Sequence, residues 1–331
     1  MIDANLPEDE SSRPNDPQTV AGSRQQGTSE SGMRAPSLQL ICLLRAGKRS
    51  AKRWLKARRA AWVRNFRSFT HQDFKRLLSR LGIERGDVLL VHSSYRGFDG
   101  FQGNAADVIL ALEEAVGQKG TVLMPTMPFA GSAVDYVSRN PVFDVNATPS
   151  RMGLLTELFR RSPGVLRSVH PTHPVAAWGA HAHSLIADHH LSATPCGRQS
   201  PFGRLLDYRG KILLMGTGFA PLTFFHSIEE IMELDLPRSP FTLETFTLQS
   251  RDSAGKTVTT VTRLFDPGMG RRRNPMKLVP VLKEMGCWRE ERVGTLLAIV
   301  LNASDVLAAG RTLVKNRINL YDRYSDTTVP V

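Results

Sequence analysis

The residues able to do chemistry crowd into one stretch of the chain. Seven of its nine histidines fall between positions 170 and 226: His170, His173, His181, His183, His189, His190 and His226. Three segments stand out there. Arg167-Ser-Val-His-Pro-Thr-His-Pro174 reads as a loop, because its prolines remove backbone donors and push the residues before them into extended conformations. Pro195-Cys-Gly-Arg-Gln-Ser-Pro-Phe-Gly203 is the second. The third, Met215-Gly-Thr-Gly-Phe-Ala-Pro-Leu-Thr-Phe-Phe-His-Ser-Ile-Glu-Glu230, reads as a strand, a Gly-rich turn and a helix start. Such a turn aims backbone N–H groups and hydroxyls at whatever lies beyond the strand.

An imidazole titrates near neutral pH and can take a proton from an attacking nucleophile. A neighbouring carboxylate orients the ring and favours its protonated form. His170, in its Pro-stiffened loop, is the candidate base, with His226 next. Glu229 and Glu230 are candidates to bind an acceptor ammonium or to orient an imidazole. The remaining histidines read as structural or surface residues. A metal site is conceivable, since His170 and His173 are three apart and Glu229 follows His226 closely. No HExxH is present, however, and no carboxylate interleaves the histidines of 170–183. GxSxG, the GxxxxGK[ST] phosphate loop and GxGxxG after a strand are also missing.

Elements that would position these residues follow from periodicity. Thr70 and Asp73 suggest a capping box for a helix through Leu81 closed by Gly82. Residues 87–92, 121–124, 212–215 and 296–301 read as strands, several almost wholly apolar, as in a sheet covered on both faces. Helices open at Asn104, Ser150, Thr223 and Ser304, and Asp252-Ser-Ala-Gly255 joins a hairpin of 244–249 with 257–265. The fold class expected is α/β, a single domain with a mixed, mostly buried central sheet flanked by helices.

Six segments occur in an order that carries a resemblance: Val91-His-Ser-Ser-Tyr-Arg-Gly97, Gly120-Thr-Val-Leu-Met-Pro-Thr126, Pro149-Ser-Arg-Met-Gly153, Arg167-Ser-Val-His-Pro171, Gly197 with Ser200-Pro201, and Thr223-Phe-Phe-His-Ser-Ile-Glu229. Together they resemble the aminoglycoside 3-N-acetyltransferases, antibiotic-resistance enzymes that do not share the GNAT fold, over roughly residues 71–320. The resemblance implies acetyl-CoA as co-substrate and direct transfer to an amine with no covalent enzyme intermediate. Ser93 and Ser94, at a strand end, and Thr217, in the Gly-rich turn, would then face the coenzyme, and Arg96 or Arg167 its phosphates. The acceptor is less legible, an aminoglycoside or another amino-sugar-like amine. Two other readings stay open: a metal-assisted amidohydrolase built on the histidine cluster, and a non-catalytic binding protein on the same scaffold.

Charge bears on partners. The net +12 divides into −3 for residues 1–40, +10 for 41–70 and +5 for 71–331. A folded surface that is only mildly basic argues against nucleic acid, and it also fails to advertise a pocket rich in carboxylates for a polycation. Residues 1–36 are polar and Pro-rich and read as disordered, 37–69 as a basic helical extension, and 70–331 as the acetyltransferase domain. Leu55, Trp62 and Phe66 among basic residues suggest peripheral contact of 45–67 with an anionic membrane. A small-molecule amine and a second copy of the chain in a homodimer are the other partners expected. Cys42, Cys196 and Cys287 form no CxxC pair, and acidic residues stand where a signal peptide would be basic. Both point to the cytoplasm.

Overall fold

Two capping boxes show how the sequence starts its helices. In the computed structural model the Thr70 hydroxyl accepts the Asp73 N–H, and Asp73 returns a bond from the Thr70 N–H at 2.9 Å. Asn104 and Asp107 repeat the arrangement at a second helix. The structure describes residues 54–322 apart from 56 and 60. In chain order the principal elements are α1 (His71–Arg80), β1 (Val88–Ser93), α2 (Ala105–Val116), β2 (Thr121–Pro125), β3 (Phe143–Asp144), α3 (Leu154–Phe159), β4 (Leu166–Arg167), β5 (Val175–Gly179) and β6 (Lys211–Met215). They continue with α4 (Phe225–Ile231), β7 (Phe241–Arg251), β8 (Thr257–Phe265), α5 (Pro267–Arg272), α6 (Leu278–Glu284), β9 (Arg289–Val293), β10 (Leu296–Asn302) and α7 (Ala303–Lys315).

Seven strands form the central sheet in the order β4-β5-β2-β1-β6-β10-β9. Its centre is parallel, β1 lying between β2 and β6, and its flanks are antiparallel. Alternate residues of the central strands feed two cores. Leu90, Leu123, Ile212, Leu214 and Ile299 pack with Phe224, Phe225, Ile228 and Val306 on one face. Leu89, Val91, Val122, Leu213 and Val300 pack with Phe74, Leu77 and Leu112 on the other. That is why these strands read as continuous apolar runs. A smaller sheet, β3-β7-β8, carries the expected hairpin.

The structure departs from the sequence reading at several boundaries. The helix expected from Ser150 starts at Leu154, because the Ser150 N–H instead donates to Glu157 Oε2 at 2.7 Å and its hydroxyl meets Thr156. The last helix is capped at Asn302, two residues before Ser304. β9, written Arg-Glu-Glu-Arg-Val, is an edge strand whose charges face solvent and conceal its period. The folded unit also reaches upstream of position 70. Phe69 is 2% exposed, exchanges backbone hydrogen bonds with Gly100 and Gln102, and stacks near Phe98 and Phe101, while Val63 packs at Gly100. Within the helical stretch ending at 66, by contrast, Trp54, Leu55, Trp62 and Phe66 are half or more exposed.

Phe69→Ala should therefore destabilise the protein by about 3–5 kcal/mol, the range for emptying a fully packed aromatic site. Denaturant unfolding followed by circular dichroism would measure it, and a loss under about 1 kcal/mol would place Phe69 outside the cooperative core.

Candidate active site

The C-terminal ends of β1 and β6 lie side by side, and the chain leaving β1 is held by β6. The Ser94 N–H donates to Met215 O at 2.9 Å. Beyond it, Gly97 and Gly216 (φ +63°) meet backbone to backbone: a Cβ on Gly97 would stand 2.4 Å from the Gly216 Cα. No side chain fits there, so the Ser93–Gly97 turn and the Met215–Thr217 turn close over each other.

Three cavities that share parts of their walls lie at this point. The first, about 650 Å³, is lined by Ser93, Ser94, Tyr95, Arg96, Met152 and Thr217. It shares Ser93, Met152 and Thr217 with a second of about 430 Å³, which reaches His92, Thr223, His226 and Arg273. The third, about 490 Å³, shares His226, Gly270 and Arg273 with the second and extends to Phe129, Asp135 and His173. His226 thus stands where the second and third cavities meet.

Behind it lies a completely buried carboxylate. Glu229, one turn along α4, receives His226 Nδ1–H at 2.8 Å. Arg273 Nε donates to both its oxygens at 2.8 and 2.9 Å, and the Tyr321 hydroxyl donates to Oε1. Burial pushes the Glu229 carboxyl up, but the bonds from His226 and Arg273 outweigh it and hold the group below its ordinary range. An ionised carboxylate only accepts, so His226 Nδ1 carries the proton and Nε2 keeps its lone pair. That nitrogen has no partner among the described residues. Burial, then the Arg273 charge, lower the His226 pKa, against a smaller upward pull from Glu229, so the ring is neutral at pH 7.

Arg273 and Tyr321 gave no signal in the sequence. They are brought together by an isolated antiparallel bridge between the two residues, extended by Asn274 N–H to Leu320 O at 3.2 Å and Asp322 N–H to Arg272 O at 2.8 Å. Burial, and then Glu229, push the Tyr321 phenol up, keeping it a donor.

The other expected residues divide clearly. Ser93, Ser94, Arg96 and Thr217 all line the cavities beside the β1 end, and the Ser93 hydroxyl and His92 Nε2 are buried there with no hydrogen-bond partner. Arg167 does not join them. Its guanidinium is buried, donating to Thr126 O and Oγ1, Val145 O and Thr148 O, and lies over the Phe143 ring. With four of its five N–H groups so committed, this buried cation anchors the 145–148 loop.

His170 is also set apart. It is fully buried, lines none of the three cavities, and its Nδ1 accepts the N–H groups of Thr172 and His173 at 3.3 and 3.1 Å. The proton is therefore on Nε2, and neither nitrogen has a lone pair to offer a substrate. Its ring stacks on His189 at 4.4 Å. Glu230 points away from Glu229 to the Thr194 hydroxyl, against Gly197, as adjacent residues of one helix must. His173, read as structural, is the nearer neighbour: its ring meets His226 edge to face at 6.1 Å and lines the third cavity. Among the described residues no group of three or more His, Cys, Asp or Glu is placed to hold a metal ion.

The family model described as aminoglycoside 3-N-acetyltransferase matches residues 90–315. The chain belongs to that family. The family member YokD of Bacillus subtilis, described as a prophage-derived aminoglycoside N(3')-acetyltransferase-like protein, is 34% identical over 176 residues, 48% of this chain and 64% of its own length. An aminoglycoside N(3)-acetyltransferase III of Salmonella is 27% identical over 266 residues, covering 74% of this chain and 91% of that one. The crystal structure of aminoglycoside acetyltransferase AAC(3)-Xa superposes with a TM-score of 0.64 at 26% identity, over 76% of this chain and 94% of that one. The family's fold is thus the mixed α/β architecture described above.

Buried neutral imidazoles have a cost in acid. Burial, with lesser repulsion from neighbouring charges, lowers His92 to about 4 and His189 to about 3 from the ordinary 6.5, and takes His170 and His173 well below it. Between those values and 6.5 the unfolded chain binds protons that the folded chain refuses, so stability rises with pH and falls below it. Thermal unfolding should show a Tm constant above pH 7 that drops steadily from pH 6.5 to pH 5. Each site can contribute up to about 1.4 kcal/mol per pH unit. A Tm that is flat across this interval would mean that these rings are not buried neutral.

Proposed function

We propose that the protein is an acyltransferase of the cytoplasm that moves an acetyl group from acetyl-coenzyme A to the amine of an amino-sugar-type acceptor, aminoglycosides among them. The observation that carries this reading is the His226–Glu229 pair, with its open Nε2 at the meeting point of two cavities. The donor side suits a long, partly anionic ligand: a channel from exposed Arg96, past Ser94 and Thr217, to the unpartnered Ser93 hydroxyl, ending at His226. Acetyl-coenzyme A, when bound, supplies an acyl thioester.

From the third cavity an amine would approach that thioester past His226. Nε2 takes the proton from the nitrogen as the N–C bond forms. Glu229 stabilises the imidazolium that results, without itself being protonated. Arg273 and Tyr321 fix the carboxylate, so that the ring cannot turn. The carbonyl oxygen gains charge as the carbon becomes tetrahedral, and the Ser93 hydroxyl is a donor without another bond beside the second cavity. Collapse breaks the C–S bond, and the imidazolium returns its proton to the departing thiolate. His170 and His173 act as positioning residues for the loop that packs on His226.

His226→Gln should lower kcat at least about 100-fold, the scale for losing a general base. In the wild-type kcat/KM profile the limb that belongs to His226 should lie below pH 6.5, because the free enzyme's His226 titrates below its ordinary value. Glu229→Gln removes the pull that raises it, and should both lower kcat and move that acidic limb further down. Thiol release from acetyl-coenzyme A measures all three. Wild-type turnover in His226→Gln would remove the assignment, and His170→Gln would then be the next variant to assay.

A second role is proposed for the upstream basic segment. Trp54, Leu55, Trp62 and Phe66 are exposed, with Arg58 over Trp54 and Arg67 over Trp62. Residues 45–53 of the segment lie outside the described residues. Aromatic residues paired with cations suit an anionic lipid surface, where each basic residue contributes about 1 kcal/mol. Binding to anionic vesicles should be strong at low salt, lost at high salt and weakened by Trp54→Ala with Trp62→Ala. No cosedimentation at low salt would remove this role.

A further inference from the structure

We infer, resting on the reading of His226 as the base, that a clasp between residues 272–277 and 319–322 sets the strength of that base, with Tyr321 and Asp322 as positioning residues. Two of the three donors to Glu229 sit opposite each other on this clasp, Arg273 on one side and Tyr321 on the other. Beyond the bridge and its two flanking backbone bonds, polar side chains close it. Lys277 Nζ donates to Asn319 O at 3.1 Å and to Tyr321 O at 2.7 Å, and pairs with Asp322 Oδ1 at 3.0 Å. Asn274 Nδ2 donates to both Asp322 carboxylate oxygens at 3.0 Å, and Arg272 Nε to Asp322 O at 2.7 Å. The bonds from Asn274 and Lys277 hold the Asp322 carboxyl below its ordinary range, so it stays a charged acceptor. These ties fix the backbone on either side of Tyr321, whose ring is buried with Leu320 in the core. Asn274, Lys277, Tyr321 and Asp322 line none of the three cavities. Whatever they do for the reaction reaches it through Glu229.

The two clasp donors act on His226 differently. Arg273 brings a charge that repels an imidazolium directly. Tyr321 is neutral, and its phenol stays protonated, so it reaches the ring only by occupying a lone pair of Glu229. Each hydrogen bond that a carboxylate accepts favours its charged form and makes it less basic. With the phenol in place, Glu229 holds the Nδ1–H of His226 less strongly than it would without, and the ring stays a neutral, weaker base. Removing that one O–H should therefore raise the His226 pKa. The other titratable groups about the ring are His92 from β1, lowered to about 4, and His173 from the loop between β4 and β5, well below 6.5. Asp135, Asp266 and Arg271 share the third cavity with it. None of these five touches the clasp's polar ties, so a change in the clasp leaves them as they are.

The test titrates the His226 ring of the full chain by NMR, its signal assigned with His226→Gln. Alongside, thiol release from acetyl-coenzyme A with gentamicin gives kcat/KM across pH. Tyr321→Phe keeps the buried ring and removes only the hydroxyl. Its His226 pKa, and the acidic limb with it, should rise by about half a pH unit, the scale of one hydrogen bond. That is the opposite direction to Glu229→Gln. Asp322→Ala should move both the same way by less, and Asp322→Asn, which keeps an oxygen for Asn274 and Lys277, should restore the wild-type values. Coenzyme A binding should not change. A folded Tyr321→Phe with an unmoved His226 pKa would overturn the inference, as would an unmoved pKa in Asp322→Ala should Tyr321→Phe not fold. A ring pKa that rises while the kinetic limb stays would support the clasp and remove His226 as the base. Absence of thiol release would count against the acetyl-transfer reading, and the ring titration would still decide the inference.

Discussion

One buried negative charge organises the active region. A carboxylate with no solvent contact is tolerated only when its lone pairs are filled, and Glu229 fills them from three places in the chain. His226 comes from its own helix, Arg273 from the segment after α5, and Tyr321 from the stretch that follows α7. Each donor is in turn constrained by the charge it serves. The imidazole is locked in one tautomer, the guanidinium is held by its Nε across both carboxylate oxygens, and the phenol is kept protonated. The tautomer that leaves Nε2 its lone pair is thus set by a carboxylate with no solvent contact.

The sheet supplies the other constraint. Ligand sites of open α/β sheets gather beyond the C-terminal ends of parallel strands, and here β1 and β6, the parallel pair at the centre, end at the serines and at the Gly-rich turn. The close approach of Gly97 and Gly216 joins the two turns into one surface. The hydroxyls at the end of β1 and the Gly-rich turn after β6 are consequently fixed by the same backbone contact.

Much of this was legible in the sequence, and the reasons for what was not are local. The central strands announced themselves because both faces are covered, and α1 and α2 because their caps are written in adjacent residues. β9 was hidden by its charges, and β4 and β5 by brevity and by the histidines and prolines between them. Ser93, Ser94, Arg96, Thr217, His226 and Glu229 were placed together by motif order. His170 was singled out for a prolyl loop that does stiffen it, yet the same loop turns its backbone N–H groups inward onto Nδ1 and takes the lone pair. Arg167 stood beside it and was consumed by the Val145 and Thr148 carbonyls of the preceding loop and by Thr126, just beyond β2. Arg273 and Tyr321 sit 48 positions apart with nothing periodic to relate them. Only a tertiary bridge does so.

That bridge bears on how the protein is born. All seven strands of the central sheet, and the helix carrying His226 and Glu229, precede Tyr321 in the chain. During synthesis the nascent chain can therefore assemble its sheet and most of both cores while the Glu229 carboxylate still lacks its phenolic donor. The scaffold can form before the site is finished, and the last oxygen-bound proton to reach Glu229 arrives only after α7 has been made.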